Sequence, residues 1–247
     1  MKESLFPDLK KRSDEIELMD IPDSDEAKLI NTVRQFKIIN LLFTRSRYLI
    51  KKYIIKEILK NPERIYTFLD LGAGGCDISY WFLNKCKYYG ININVICLDS
   101  DIRIINYVKK KFKSAKNLKI INGSAFELEK IGKVDFIFAN HFLHHFPLDK
   151  IPVILNHIAR YTKKFFLLND IYRSYFAYFG LSIFCRIFLH NSFAFYDGRL
   201  SIRKGFRDKE IKYISKKIDI KGLNFEIKIK RINPSRIYII GKNYKID

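Results

Sequence analysis

The stretch Phe68–Leu83, FLDLGAGGCDISYWFL, carries a short apolar run into a knot of glycines and then into residues with helical spacing. Three of the chain's eleven glycines, Gly72, Gly74 and Gly75, fall within four positions. An apolar run that ends in such a knot reads as a buried strand, and the segment after it as a helix. Glycines at that junction let the backbone turn sharply and let a ligand lie against bare peptide. The helix beyond adds its free N–H groups. A dinucleotide fingerprint beginning at Gly72 would need another glycine at position 77, where this chain has Asp77. A carboxylate at that helix start repels a pyrophosphate and favours a ligand carrying positive charge. No Gly-Lys-Ser/Thr follows, which excludes a P-loop.

Outward from this junction, apolar runs over Ile65–Leu71, Asn94–Leu98, Leu118–Ile121, Val134–Ala139 and Phe165–Leu168 predict strands. Helices are predicted between them over Asp77–Tyr89, Ile102–Lys113 and Leu148–Tyr161. That alternation implies parallel pairing through right-handed crossovers. A helix over Asp208–Ile218 follows, and then LNFEIKIKRI and SRIYIIGKN alternate around Asn233 and Pro234 as a terminal hairpin. The expected fold is α/β: a doubly wound, Rossmann-like, seven-stranded mixed sheet closed by an antiparallel hairpin. One domain over 1–247 is expected, with an N-terminal helical extension over 27–60 and an apolar cap insert over 172–206. Within that insert, Tyr175–Phe195 is long and apolar enough to suggest a membrane span, but Arg186, His190, Asn191 and Ser192 interrupt it. A buried or lid-forming helix pair is the preferred reading, with peripheral membrane contact second.

The net charge of +20 raises the question of nucleic acid. The basic residues are, however, spread from Lys10 to Lys245, and Ile, Asn, Tyr and Phe are abundant alongside Lys, as a biased coding composition would produce. A solvated basic surface without a dedicated nucleic-acid partner is therefore the expectation. Cys76, Cys86, Cys97 and Cys185 form no Cys-x-x-Cys pair and have no histidines at metal-site spacing, so no metal site and no disulfide framework is expected. The first twenty residues lack the apolar core of a signal peptide, and the expected location is the cytoplasm.

FLDLGAGGCD resembles the first motif of class I S-adenosylmethionine-dependent methyltransferases. The resemblance implies S-adenosylmethionine as cofactor, held by Asp70, Gly72, Ala73, Gly74 and Asp77, with Asp99 and Ser100 of VICLDSD at the ribose. The adenine loop corresponds to NGSAFEL, where Ser124 replaces the family's usual acid and Ala125 and Phe126 flank the base. The segment ANHFLHHF, after the fourth strand, is similar to the one that lines the methyl-transfer pocket, and includes Asn140 and His141. A narrower resemblance to methyltransferases of quinone and polyketide-derived phenolic-lipid type rests on ELMDIPDSD, QFKIIN, LLNDIYRS and YDGRLSIRKGF. It implies a small, lipophilic or phenolic acceptor.

Methyl transfer from a sulfonium is an in-line displacement, so the protein mainly positions the nucleophile and excludes water. A hydroxyl acceptor must also lose a proton, which nominates His141, His144 and His145 as bases; the family resemblance puts His145 first and His144 second, with His141 in the pocket wall. Phe179, Phe184 and Tyr196 are the acceptor-pocket residues expected from the insert. RNA methylation is the rival enzymatic reading, disfavoured because ANHFLHHF has no Asn/Asp-Pro-Pro-aromatic turn. A non-catalytic assembly or membrane-associated factor on the same fold is the rival of another class.

Overall fold

Alternating faces of the central strands explain the architecture seen in the computed structural model, which describes residues 7–219 and 222–244. In β1 (Tyr66–Leu71) and β4 (Val134–Asn140), Phe68, Phe136 and Phe138 point into one apolar layer. Leu69, Leu71, Ile137 and Ala139 point into the other. Both layers are fully buried, as strands covered on two sides by helices must be. Each buried aromatic or aliphatic side chain contributes ~1.5–3 kcal/mol.

The remaining strands are β2 (Ile93–Asp99), β3 (Leu118–Asn122), β5 (Thr162–Ile171), β6 (Phe225–Ile232) and β7 (Arg236–Asn243). Their order is β3-β2-β1-β4-β5-β7-β6, with β1 to β5 parallel and β7 antiparallel to both β5 and β6. The expected mixed sheet and terminal hairpin are both present. Strand order reverses between β1 and β4, and a crevice opens there beyond the strands' carboxyl ends.

An N-terminal helix α1 (Glu26–Leu42) is capped by Asp25, whose side chain accepts from Lys28 N at 3.0 Å. A second helical rod follows, made of α2 (Ser46–Leu49), a π-helical segment Ile50–Ile55 and α3 (Lys56–Ile58). Three crossover helices come next: α4 (Asp77–Tyr88), α5 (Ile102–Lys111) and α6 (Ile151–Tyr161). The last begins three residues later than the sequence suggests, with Pro152 in its first turn, where a missing N–H costs nothing. The insert is a helix pair, α7 (Tyr175–Phe188) and α8 (Ala194–Lys204), followed by α9 (Asp208–Lys217). Gly198 lets α7 approach α8, since a Cβ there would stand 3.0 Å from Leu181 Cδ2.

Two features that matter for the site depart from expectation. β5 extends beyond Leu168 through Asn169, Asp170 and Ile171, because β7 pairs with it that far. The polar pair is buried but fully engaged, Asn169 with Thr44, Ser46 and Asn140 and Asp170 with His144. The irregular segment before α1 also forms a strap across the open end of the sheet. Arg103 donates to Met19 O, Ile21 O and Pro22 O, Arg173 to Leu9 O, and Arg12 to His144 O, while Asp197 accepts from Leu18 N and Met19 N.

Candidate functional site

At the switch point the glycine loop, the ends of β2, β4 and β5, helix α1, the strap and the α7–α8 pair enclose a cavity of about 670 Å³. Gly72 and Gly74 have positive φ, +63° and +49°, a conformation that side chains disfavour. The site a Cβ would take on Gly74 is open space, whereas at Gly72 it would press on Phe142 Cδ2 at 3.0 Å. Asp99 ties the loop to β2: its Oδ2 accepts from Gly74 N at 2.8 Å and its Oδ1 from Asp101 N at 3.1 Å.

For a chain of charge +20, the cavity wall is unexpectedly acidic. Glu17, Asp20, Asp70, Asp77, Asp99 and Asp101 all line it. Among the lining residues Arg103 is bound to Asp101 at 2.7 Å and so is locally neutralised. Burial pushes Asp70 up to about 7, against the pull of Ser79 Oγ, which donates to it at 2.6 Å. Burial likewise raises Asp77 and Asp99 above the usual carboxylate range. Asp77 Oδ1 accepts from Asn40 Nδ2 at 3.0 Å, whereas its Oδ2 is buried without a hydrogen-bond partner. Buried carboxylates in this state are poised to be stabilised by a cation.

The histidines divide by environment. His141, at φ +56°, is half-buried and lies 3.2 Å from Arg236 Nη1 through its Nε2. Desolvation, then the charges of Arg236 and His144, hold it well below the ordinary histidine value, so it is neutral. His144 is fully buried, with Nδ1 2.7 Å from Asp170 Oδ1 and Nε2 3.5 Å from Glu17 Oε1. Burial alone would lower its pKa, but Asp170 and then Glu17 outweigh burial and raise it to about 9. With its proton held between Asp170 and Glu17, the His144 ring is less suited to act as a general base. Glu17 is correspondingly held down, to about 2, because His145, His144 and Lys204 outweigh its burial. His145, about a quarter exposed, donates from Nδ1 to Asp20 Oδ2 at 2.8 Å.

Of the residues expected from the sequence, Asp70, Gly72, Ala73, Gly74, Asp77, Asp99, Ser100, Asn140, His141, His144 and His145 all line this one cavity. The Asn140 amide is spent on the scaffold, bonded to Asn40, Ser46, Asn169 and Arg236. Ser124, Ala125 and Phe126 are not in the lining. Ser124 Oγ caps Phe126 N, Ala125 packs on the apolar layer below, and Phe126 reaches the cavity only through an edge contact with Phe146, which does line it. Phe179, Phe184 and Tyr196 do not line it either. Phe179 stacks on Tyr175, meets Tyr178 edge-on and packs in the cluster of Leu9, Ile171 and Ile202, whereas Phe184 packs on Phe43 and Phe188. The insert contributes Leu181, Gly198 and Ser201 instead.

Lining residues to which the sequence assigned no role include Glu17, Met19 and Asp20 of the strap and Phe36, Ile39 and Asn40 of α1. They fall inside ELMDIPDSD and QFKIIN, the segments that carry the narrower resemblance.

Residues 68–164 match the family described as Methyltransferase domain. No curated protein matches the chain. Among solved structures it is similar to the plantazolicin methyltransferase BamL in complex with a triazolic desmethylPZN analog and SAH, with a TM-score of 0.64 and 12% identity over 86% of this chain and 90% of that one. The citrinin polyketide synthase CMeT domain gives a TM-score of 0.60 and 13% identity, over 91% of this chain and 61% of that one. A SAM-dependent methyltransferase from Aquifex aeolicus gives 0.54 and 14%, over 89% and 98%. At these identities the likeness is one of fold.

Proposed function

We propose that the chain, an S-adenosylmethionine-dependent methyltransferase, methylates a small lipophilic or phenolic acceptor in this cavity. The observation that carries the reading is the acidic stretch of the wall at the glycine loop: a basic protein brings Asp70, Asp77 and Asp99 together at the switch point of its sheet. A cofactor bearing an ammonium and a sulfonium fits such a wall, and the orphaned Asp77 Oδ2 and the open face of Gly74 are suited to receive it. When bound, S-adenosylmethionine supplies an electrophilic methyl carbon.

The chain's own part is binding, orientation and exclusion of water. Asp70 and Asp77 face the cofactor's cationic end, and Gly72, Ala73 and Gly74 give close backbone approach. Asp99 takes the ribose hydroxyls with the lone pairs left over from Gly74 and Asp101. Phe146, backed by Phe126, offers an apolar surface to the adenine. Among the other lining residues, Met19, Phe36, Ile39 and Leu181 suit a lipophilic acceptor, and burying such area is worth ~25 cal/mol per Å². The corner made by Glu17, His144 and His145 is where the acceptor's polar end and its proton are handled.

Calorimetry with S-adenosylhomocysteine tests the cofactor half. Wild-type protein should bind one equivalent. Asp77→Asn should bind it 10- to 100-fold more weakly, the value of a charge-assisted hydrogen bond of ~1.5–3 kcal/mol. Folded wild-type protein that binds none overturns the reading. Labelled methyl from S-adenosylmethionine appearing in RNA rather than in an organic extract would overturn the acceptor class.

A further inference from the structure

We propose that Glu17, His144 and His145 form a divalent-cation site, of the chemistry that suits Zn²⁺, opening onto the acceptor side of the cavity. One potential ligand atom from each residue lies within 4.8 Å of the other two, and all three residues line the cavity. His144 Nε2 is buried, makes no hydrogen bond, and stands 3.5 Å from Glu17 Oε1. That separation is long for a hydrogen bond. It matches the edge of a tetrahedron, ~3.4 Å, around a cation with bonds of about 2.1 Å.

The surroundings repeat the pattern by which proteins fix histidine ligands. Each ring has its Nδ1 on a carboxylate, His144 on Asp170 at 2.7 Å and His145 on Asp20 at 2.8 Å, which leaves Nε2 as the free atom of both. Glu17 is oriented in turn by Ser201 Oγ, which donates to Oε1 at 3.0 Å, and by Lys204 Nζ, 3.5 Å from the same oxygen. The two rings are 4.4 Å apart between centroids, and the His145 side chain is about a quarter exposed. Two imidazoles and a carboxylate, with a fourth position facing a cavity, are the donor set of an open Zn²⁺ site.

As the cation enters, the proton on His144 Nε2 leaves to solvent. The fourth position then takes an oxygen of the acceptor. This last step rests on the methyltransferase reading, and it makes His145 a ligand rather than the base: the cation would lower the hydroxyl's pKa so that its proton leaves to solvent, and the oxygen would then take the methyl carbon as the C–S bond breaks and sulfur keeps the bonding pair. The acceptor class narrows accordingly to molecules with a hydroxyl or enol oxygen. The sequence concealed the site because Glu17 lies over a hundred positions from the histidines in the chain.

The test uses full-length protein stripped with a chelator, titrated with ZnCl₂ by calorimetry and with CoCl₂ by visible absorption, with MgCl₂ as control. The expected result is one equivalent of Zn²⁺ and tetrahedral Co²⁺ bands without the thiolate band that binding at Cys76 or Cys97 would give. Glu17→Gln and His145→Asn should each weaken Zn²⁺ at least tenfold, while S-adenosylhomocysteine affinity stays within about threefold. If Glu17→Gln fails to fold, His145→Asn, at a partly exposed position, carries the comparison alone. Wild-type protein without stoichiometric Zn²⁺, or folded variants that bind Co²⁺ like wild type, would show an ion-pair network with Lys204 and overturn the proposal. Zn²⁺ bound as expected without any S-adenosylhomocysteine binding supports the cation site and sinks the cofactor reading instead.

Discussion

Replacing Asp70 by Asn gives the sharpest test of how the site's electrostatics are built. The carboxyl is buried beneath the glycine loop, and burial moves it from an ordinary 3.8 to about 7. At 1.36 kcal/mol per pKa unit, ionising it in the folded protein costs ~4 kcal/mol more than in the unfolded chain. The sign follows from the raised value. The stability this group supports is fully present below its unfolded pKa near 4, falls through the interval between the two values, and is gone above about 7. An asparagine keeps an oxygen to accept from Ser79 Oγ but does not ionise, so the difference between the two proteins isolates this one group. From pH 4 to 7, wild type should lose ~1.4 kcal/mol per pH unit relative to Asp70→Asn. In a domain of this size that accumulates to a relative drop in Tm of ~8–16 °C. Thermal or urea unfolding of both proteins across pH 4 to 8 reads it directly. A bound cation should pull the carboxyl back down, so S-adenosylhomocysteine should bind wild type more tightly as pH rises from 5 to 7, and the variant without that trend. Parallel stability profiles for the two proteins over this interval would refute the reasoning.

Gly241→Ala should destabilise the sheet by ~1–3 kcal/mol in urea unfolding, because its Cβ would overlap the Phe166 ring. Leu181→Ala, in the cavity wall, should raise KM for the acceptor with little change in cofactor affinity, whereas Phe179→Ala should change stability and leave KM alone. The opposite pattern in steady-state kinetics would return the Phe179 side of α7 to the acceptor. Binding of RNA, measured by fluorescence anisotropy, should be unselective and fall steeply between 50 and 200 mM salt, as a diffuse basic surface requires. Sequence-selective binding at physiological salt would favour an RNA substrate.

The parts of this molecule legible in its sequence are those governed by short-range rules. Strand periodicity, the knot of Gly72, Gly74 and Gly75, and the acids Asp70, Asp77 and Asp99 follow from neighbours along the chain, and the structure gathers all of them at one cavity. At its carboxyl end β5 was read three residues short because Asn169 and Asp170 are polar, and what buries them is contact with Thr44, Ser46 and His144, invisible to any local window. The insert was legible as a helix pair, but which face looks inward was not. Aromatic size pointed to Phe179 and Phe184, while close packing placed the wall at small Gly198 and Ser201 beside Leu181. The strap was hidden for the same reason in stronger form. Residues 7–25 have little regular structure of their own, only a short 3₁₀ turn at Leu18–Asp20, and are held by arginines and an aspartate from distant elements. Yet they bring Glu17 and Asp20 to the two histidines. Asp20 accepts from His145, and Asp170 with Glu17 raises His144, so the strap sets the charge at this corner of the cavity. Function at this corner is therefore a property of long-range packing, and a shortened chain that begins at α1 would keep the glycine loop and the fold's central sheet while losing one carboxylate partner of each histidine.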